Sequence, residues 1–187
     1  MKPFRRRRRG TVTATFELNE AQLLVNLASQ VVELLQDRNG PSESEPDPLA
    51  QMIGMTGPAL PPEDPVLARL LPDAYRDDPQ ESAEFRRFTE QSLSSGKVAN
   101  AHVVIESLED GGLDVGAKHV EVELDEPQVM AWLRALTDIR IALAVRLGIE
   151  TEEDAERLAE SDDEATLAMG DVFDWLGYVQ ETLVNVA

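Results

Sequence analysis

Two histidines, no cysteine and 36 acidic side chains are what the chain offers for chemistry. General acid–base work needs a positioned proton acceptor and a partner that orients it. His102 adjoins the apolar run Ala101–Ile105 and reads as an edge-of-core residue, while His119 alternates with Glu121 and Glu123 in a solvated charge pattern. Neither has a partner at a useful spacing, and no HExxH, ExxH or His/Cys metal pattern occurs. The lack of cysteine removes a disulfide framework, a thiolate metal site, a cysteine nucleophile and a thiol redox switch. The stretch Gly111–Lys118, GGLDVGAK, looks briefly like a phosphate loop. It lacks the GK[ST] ending and leads into a strand instead of the helix whose N-terminus would hold an anion. A glycine turn is the better reading. The acids at Glu150–Glu156 and Asp162–Glu164 lack the glycine and the bidentate glutamate of an EF-hand and read as solvated faces. The expectation is no enzyme, with no catalytic residue, no cofactor and no metal site.

Charge gives two further groups of candidates. Lys2 and Arg5, Arg6, Arg7, Arg8 and Arg9 form a basic arm, and residues 10–187 hold the other eleven bases against all 36 acids, a net of −25. Five phosphate contacts would give a salt slope near about −4.5. The arm is therefore a candidate for contact with DNA or with an acidic partner surface. The competing reading folds it onto the protein's own acidic surface, or a dimer partner's, where tethering keeps the effective concentration high. The second group lies in a strongly apolar helix. Asp138 and Arg140 point about 200° apart there and cannot pair with each other, whereas Arg134 and Asp138 can pair at i, i+4. An unpaired buried charge is costly, so a partner from another helix or subunit is expected. Arg134, Asp138, Arg140 and Trp175 are the candidate interface residues.

The elements that carry these groups follow from periodicity. Val12, Ala14, Phe16 and Leu18 alternate with Thr11, Thr13, Thr15 and Glu17, the pattern of a half-buried strand. Asn19 with Gln22 makes a capping box and Leu18 with Leu23 a staple, opening a helix that ends at Arg38–Gly40. Val120, Val122 and Leu124 repeat the strand, and Asp125 with Gln128 repeats the box. FELNEAQL at 16–23 lies over VELDEPQV at 122–129, either a duplicated strand–helix unit or two independent solutions to starting a helix.

Residues 40–65 hold most of the prolines and read as a loop, with a helical turn at Leu49–Ile53. A short helix follows at Pro65–Leu71, and Asp78-Pro79 with Glu81 opens another that runs through Phe85, Phe88 and Leu93. The apolar positions Val98, Ala101, Ile105 and Leu108 continue it, as one helix kinked near Gly96 or as two helices. Residues 126–148 are apolar nearly all round, which places that helix centrally. A short acidic helix at Thr151 and a last one over 164–185 complete the chain. In the last helix Gly170 and Gly177 suit close helix packing between copies. The fold class is mostly α: a helical bundle with a small two-stranded β ribbon. The domain reading is a basic arm at 1–9 and a single acidic, mostly helical domain at 10–187. No stretch approaches 18 apolar residues and TVTATFELNE supplies no export h-region, so a cytoplasmic protein with no membrane contact is expected.

Taken together, FRRRRR at 4–9, DPVLARLLPDAYRDDP at 64–79, EFRRFTEQSL at 84–93, WLRALTDIRIALAVRLGI at 132–149 and FDWLGYVQETLV at 173–184 resemble an actinobacterial domain-of-unknown-function family. The likeness spans nearly the whole chain, with the motifs in order. Some members of that family are oxidative-stress transcriptional regulators (AosR), which implies DNA or sigma-factor association and no catalytic residues. Thiol-based sensing, attributed to such members, has no residue to act through here. The resulting expectation is a non-enzymatic transcriptional regulator, homodimeric, contacting a sigma factor or RNA polymerase, with DNA as a further partner of the arginine arm. A structural adaptor without DNA contact and a metal-dependent enzyme built on acidic residues are the alternatives.

Overall fold

The computed structural model describes residues 1–7, 10–38, 58, 60–75, 77–113 and 118–187. Arg8, Arg9, nearly all of the 40–65 loop with its turn at Leu49–Ile53, and residues 114–117 of the glycine turn lie outside them. Three strands, β1 (Lys2–Arg6), β2 (Val12–Glu17) and β3 (His119–Leu124), form one antiparallel sheet in that order. Six helices accompany it among the described residues: α1 (Leu18–Arg38), α2 (Pro65–Leu70), α3 (Pro79–Leu108), α4 (Glu126–Leu147), α5 (Glu152–Ala159) and α6 (Glu164–Val184). The architecture is mostly α with a small β component.

The ribbon has a third strand where two were expected, and that strand is the basic arm. Phe4 anchors it, buried edge-on against Phe16 and Trp132 with ring centroids 6.0 and 5.7 Å away. Its arginines hid the strand signal, because an edge strand tolerates charge that a central strand cannot. In β2 and β3 the alternation gives the faces directly. Val12, Ala14, Phe16, Val120, Val122 and Leu124 are buried, while Glu121 and Glu123 face out.

The β2–β3 register sets Thr15 opposite Glu121, 106 positions later. The two matching segments at 16–23 and 122–129 are offset by the same interval. A local two-fold through the Thr15–Glu121 pair therefore carries the strand residues of the first segment onto those of the second. The two helix starts differ in detail. Asp125 and Gln128 form the expected box, each bond 2.9 Å. In α1 the helix begins at Leu18, and in place of the box expected at Asn19 and Gln22 a single bond of that kind stands two residues earlier, the Glu17 N–H donating to Glu20 Oε2 at 2.7 Å.

Helix α3 runs unbroken through Gly96 and ends in a wide turn at Glu109–Leu113. A Cβ on Gly111 would stand 2.7 Å from the Glu121 carbonyl oxygen, so the turn fits against β3 only with glycine there. The second half of α3 buries Ala101, Val104 and Leu108 as its apolar spacing requires. The first half is inverted. Its buried positions are Ser82, Arg86, Glu90 and Ser94, while Phe85, Phe88 and Leu93, the apolar residues the helix runs through, are each 46% exposed. The cause is an ion network, since Glu90 bonds Arg38 of α1 at 2.8 Å and Arg86 reaches both Glu90 and Asp73. Satisfying those charges fixes which face turns in.

Helix α4 is the centre of the bundle, packed on α1, α2, α3 and α6 as well as on β3. The α6 glycines are used within the chain: Gly170 faces Leu158 of α5, and Gly177 faces the Arg140 guanidinium at 3.5 Å. The close approach expected at these glycines is made within the chain.

Candidate functional site

The arm's arginines divide. Arg6 donates from Nε to the Val186 carbonyl at 3.0 Å, beyond the end of α6. Arg7 reaches across the outer face of the sheet to Glu121 Oε1 at 2.7 Å and to Thr13 Oγ1 at 3.3 Å. Beside it Thr11 donates to Glu123 at 2.8 Å. Arg5 is exposed and has no hydrogen-bond or ion-pair partner among the described residues. Exposed pairs such as Arg7–Glu121 contribute little, about 0–1 kcal/mol. The strand is held by Phe4 and its backbone ladder, with arginines decorating it.

The two charges of α4 are split between its neighbours. Asp138, buried, accepts from Lys97 Nζ of α3 at 2.6 Å. Burial pushes its carboxyl above the usual value, and the Lys97 ammonium works against that rise. Arg140 turns the other way, donating to Gln180 at 2.8 Å and lying 5.0 Å from the centre of the Phe173 ring on α6. The partner expected from another helix is thus present for both, inside one chain. Arg134 does not pair with Asp138; it is exposed, with no partner among the described residues. Trp175 is half-buried on α6 and is not part of the cleft that Arg134 lines.

That cleft, about 540 Å³, opens between α3 and α4 beside Leu93, Gly96, Lys97 and Arg134. A second one of about 220 Å³ lies on the other side of Leu93, against Phe85, Arg86 and Ala74. Leu93 lines both clefts and Phe85 the second, Phe88 is exposed on α3 outside either, and Tyr75 lies edge-on to Phe85 at 5.9 Å. Contiguous exposed apolar surface of this kind marks interaction sites in soluble proteins. Among the described residues no three His, Asp or Glu side chains gather as a metal set, and no helix is long and apolar enough to cross a membrane.

A family model, a domain of unknown function designated DUF2017, matches residues 1–187. The chain belongs to the DUF2017 family. It is similar to the oxidative stress regulator AosR of Mycobacterium bovis and to that of Mycobacterium tuberculosis. Each is 36% identical, with 90% of this chain and 78% of the relative covered. No solved structure matches.

In this DUF2017 chain the sequence-derived candidates do not assemble into one site. Arg134 lies in the α3–α4 cleft and Asp138 at its base, Arg140 and Trp175 belong to the α6 side, and the arm borders the sheet. Sequence reasoning missed Lys97 and the buried Arg38–Glu90–Arg86–Asp73 network. The signal available for the network was the four-residue polar repeat Ser82, Arg86, Glu90, Ser94, one full stripe of a helix. His102 is exposed on α3 and His119 on the outer face of β3, each apart from the network.

Proposed function

We propose that this DUF2017 chain is a non-enzymatic, cytoplasmic regulator that acts by contact with a protein of the transcription machinery, a sigma factor or RNA polymerase. The name of its mycobacterial relatives supports the regulatory half of the reading. The exposed face of α3, with Phe85, Phe88 and Leu93 turned to solvent, supports the contact half and is the observation that carries it. The formal net charge of −19 favours a basic protein surface over a phosphate backbone.

DNA contact by the arm is the weaker alternative. With Arg6 and Arg7 engaged inside the protein, at most three of the arm's five arginines are left for phosphate contact, and three contacts would give a salt slope of about −2.7. A homodimer is part of the proposal.

The test is parallel binding of the purified chain to RNA polymerase core, to isolated sigma factors and to a labelled generic duplex, at about 50 and 200 mM salt. Saturable binding to polymerase or a sigma factor, with weak duplex binding, is the expected result. Tight duplex binding with no polymerase or sigma association would overturn the reading in favour of DNA. No binding to any of them would leave a structural adaptor as the better account.

A further inference from the structure

We infer that the first half of α3 is a docking groove for an amphipathic helix of a partner protein, one whose apolar stripe is flanked by lysine and arginine. This deepens the protein-contact reading and rests on it. The groove is preformed. Glu90, 3% exposed, and Arg86, 6% exposed, lock the inner face of the helix to α1 and to Asp73, so the outer face cannot roll inward to hide its rings. Leu93 lines both clefts and stands between them, with Ala74 and Phe85 in the one and Gly96 in the other.

The shape of the occupant follows from what the groove lacks. Helix α3 satisfies its own backbone, so an incoming strand would find no ladder to join. A helix brings side chains into an apolar furrow while its own N–H and C=O groups stay paired. Spacing agrees for the two rings, since Phe85 and Phe88 lie within about 60° of each other on α3 and can interdigitate with a partner stripe at an interaxial distance of about 8–10 Å.

The charge of the occupant follows from the rim. Lys97 and Arg134 line the far cleft, whereas Asp77, Asp78, Glu81 and Glu84 are all exposed at the N-terminal end of α3, and Arg87 is the one exposed base among the described residues of 71–91. A basic flank meets complementary charge there, and an acidic one is repelled. A second copy fits poorly. The chain carries a net −19, and Lys2, Arg5 and Arg6 of its basic segment are built into β1.

The probe is a labelled peptide of roughly 18 residues, a helix of leucine and lysine with all leucines on one face. Its control has the same lysines with glutamine for every leucine. Both are titrated by anisotropy at about 150 mM salt, where exposed long-range attraction is largely screened. The leucine peptide is expected to bind at least about tenfold more tightly than its control. The double variant Phe85→Gln/Phe88→Gln, whose substitutions are exposed and leave the charge unchanged, is expected to lose that advantage with an unaltered melting temperature. Equal binding of the two peptides, or undiminished binding by the double variant, would overturn the proposal. So would a sedimenting dimer that the double variant converts to monomer, which would assign the face to a second copy. No polymerase or sigma factor enters this titration, so its failure is separate from failure of the regulatory reading.

Discussion

Phe85 and Arg86 are consecutive residues of α3, yet the phenylalanine is 46% exposed and the arginine 6%. Hydrophobicity alone would reverse them. The order holds because Arg86 and Glu90 are paired with each other and with Asp73 and Arg38 on the inside, and a buried charge without such partners is far more costly than an exposed ring. The inverted half-helix is what links the packing of this protein to its proposed contact.

Replacing Glu90 by Gln leaves two guanidinium groups facing a neutral amide. The variant is expected to lose about 3 kcal/mol of stability in urea unfolding. The exposed double change Phe85→Gln/Phe88→Gln is expected to stay within about 0.5 kcal/mol of wild type. Equal losses in the two would mean that the rings belong to the core.

Asp138 supplies a pH dependence. Its carboxyl holds a proton more tightly folded than unfolded, because burial opposes the charge and Lys97 offsets only part of that. Stability from this group is fully present below 3.8 and falls as pH rises through the raised folded value. Lys97→Met removes the offset, and its deficit is expected to be small near pH 4 and to reach about 2 kcal/mol at neutral pH. Asp138→Asn should abolish the dependence. Urea unfolding at both pH values measures each variant, and a Lys97→Met deficit that shrinks as pH rises would contradict the assignment.

The arm is structural before it is anything else. Phe4→Ala is expected to cost about 3 kcal/mol, since it empties the space against Phe16 and Trp132. Arg5→Ala, at an exposed position, should cost under about 0.5 kcal/mol. Thermal unfolding separates them, and a Phe4→Ala protein as stable as wild type would mean that β1 does not dock.

Gly111→Ala places a methyl group 2.7 Å from the Glu121 carbonyl oxygen. The turn and β3 must part to admit it, at a loss of about 1–3 kcal/mol, read as a lower urea midpoint. A neutral result would show that this end of α3 does not press on the sheet.

How much of this was legible in the sequence depends on which force decided each element. Alternation gave β2 and β3, and Asp125 with Gln128 gave the start of α4, because local pattern and tertiary packing agree there. Strand β1 was not legible, since a lone Phe4 among arginines carries no period. The outward turn of Phe85 and Phe88 was hidden for a different reason. It depends on Arg38 and Asp73, residues 52 and 17 positions from Glu90, and no local window contains both. Asp138 was legible as a charge needing a partner, but nothing in the sequence pointed to Lys97 as the residue that meets it.

The most direct test of the central claim is surface-immobilised RNA polymerase holoenzyme titrated with the wild-type chain and with Phe85→Gln/Phe88→Gln, both shown to be folded. The expected result is saturable wild-type binding that weakens at least about tenfold in the double variant. Absence of wild-type binding, or equal binding by the two proteins, would contradict it.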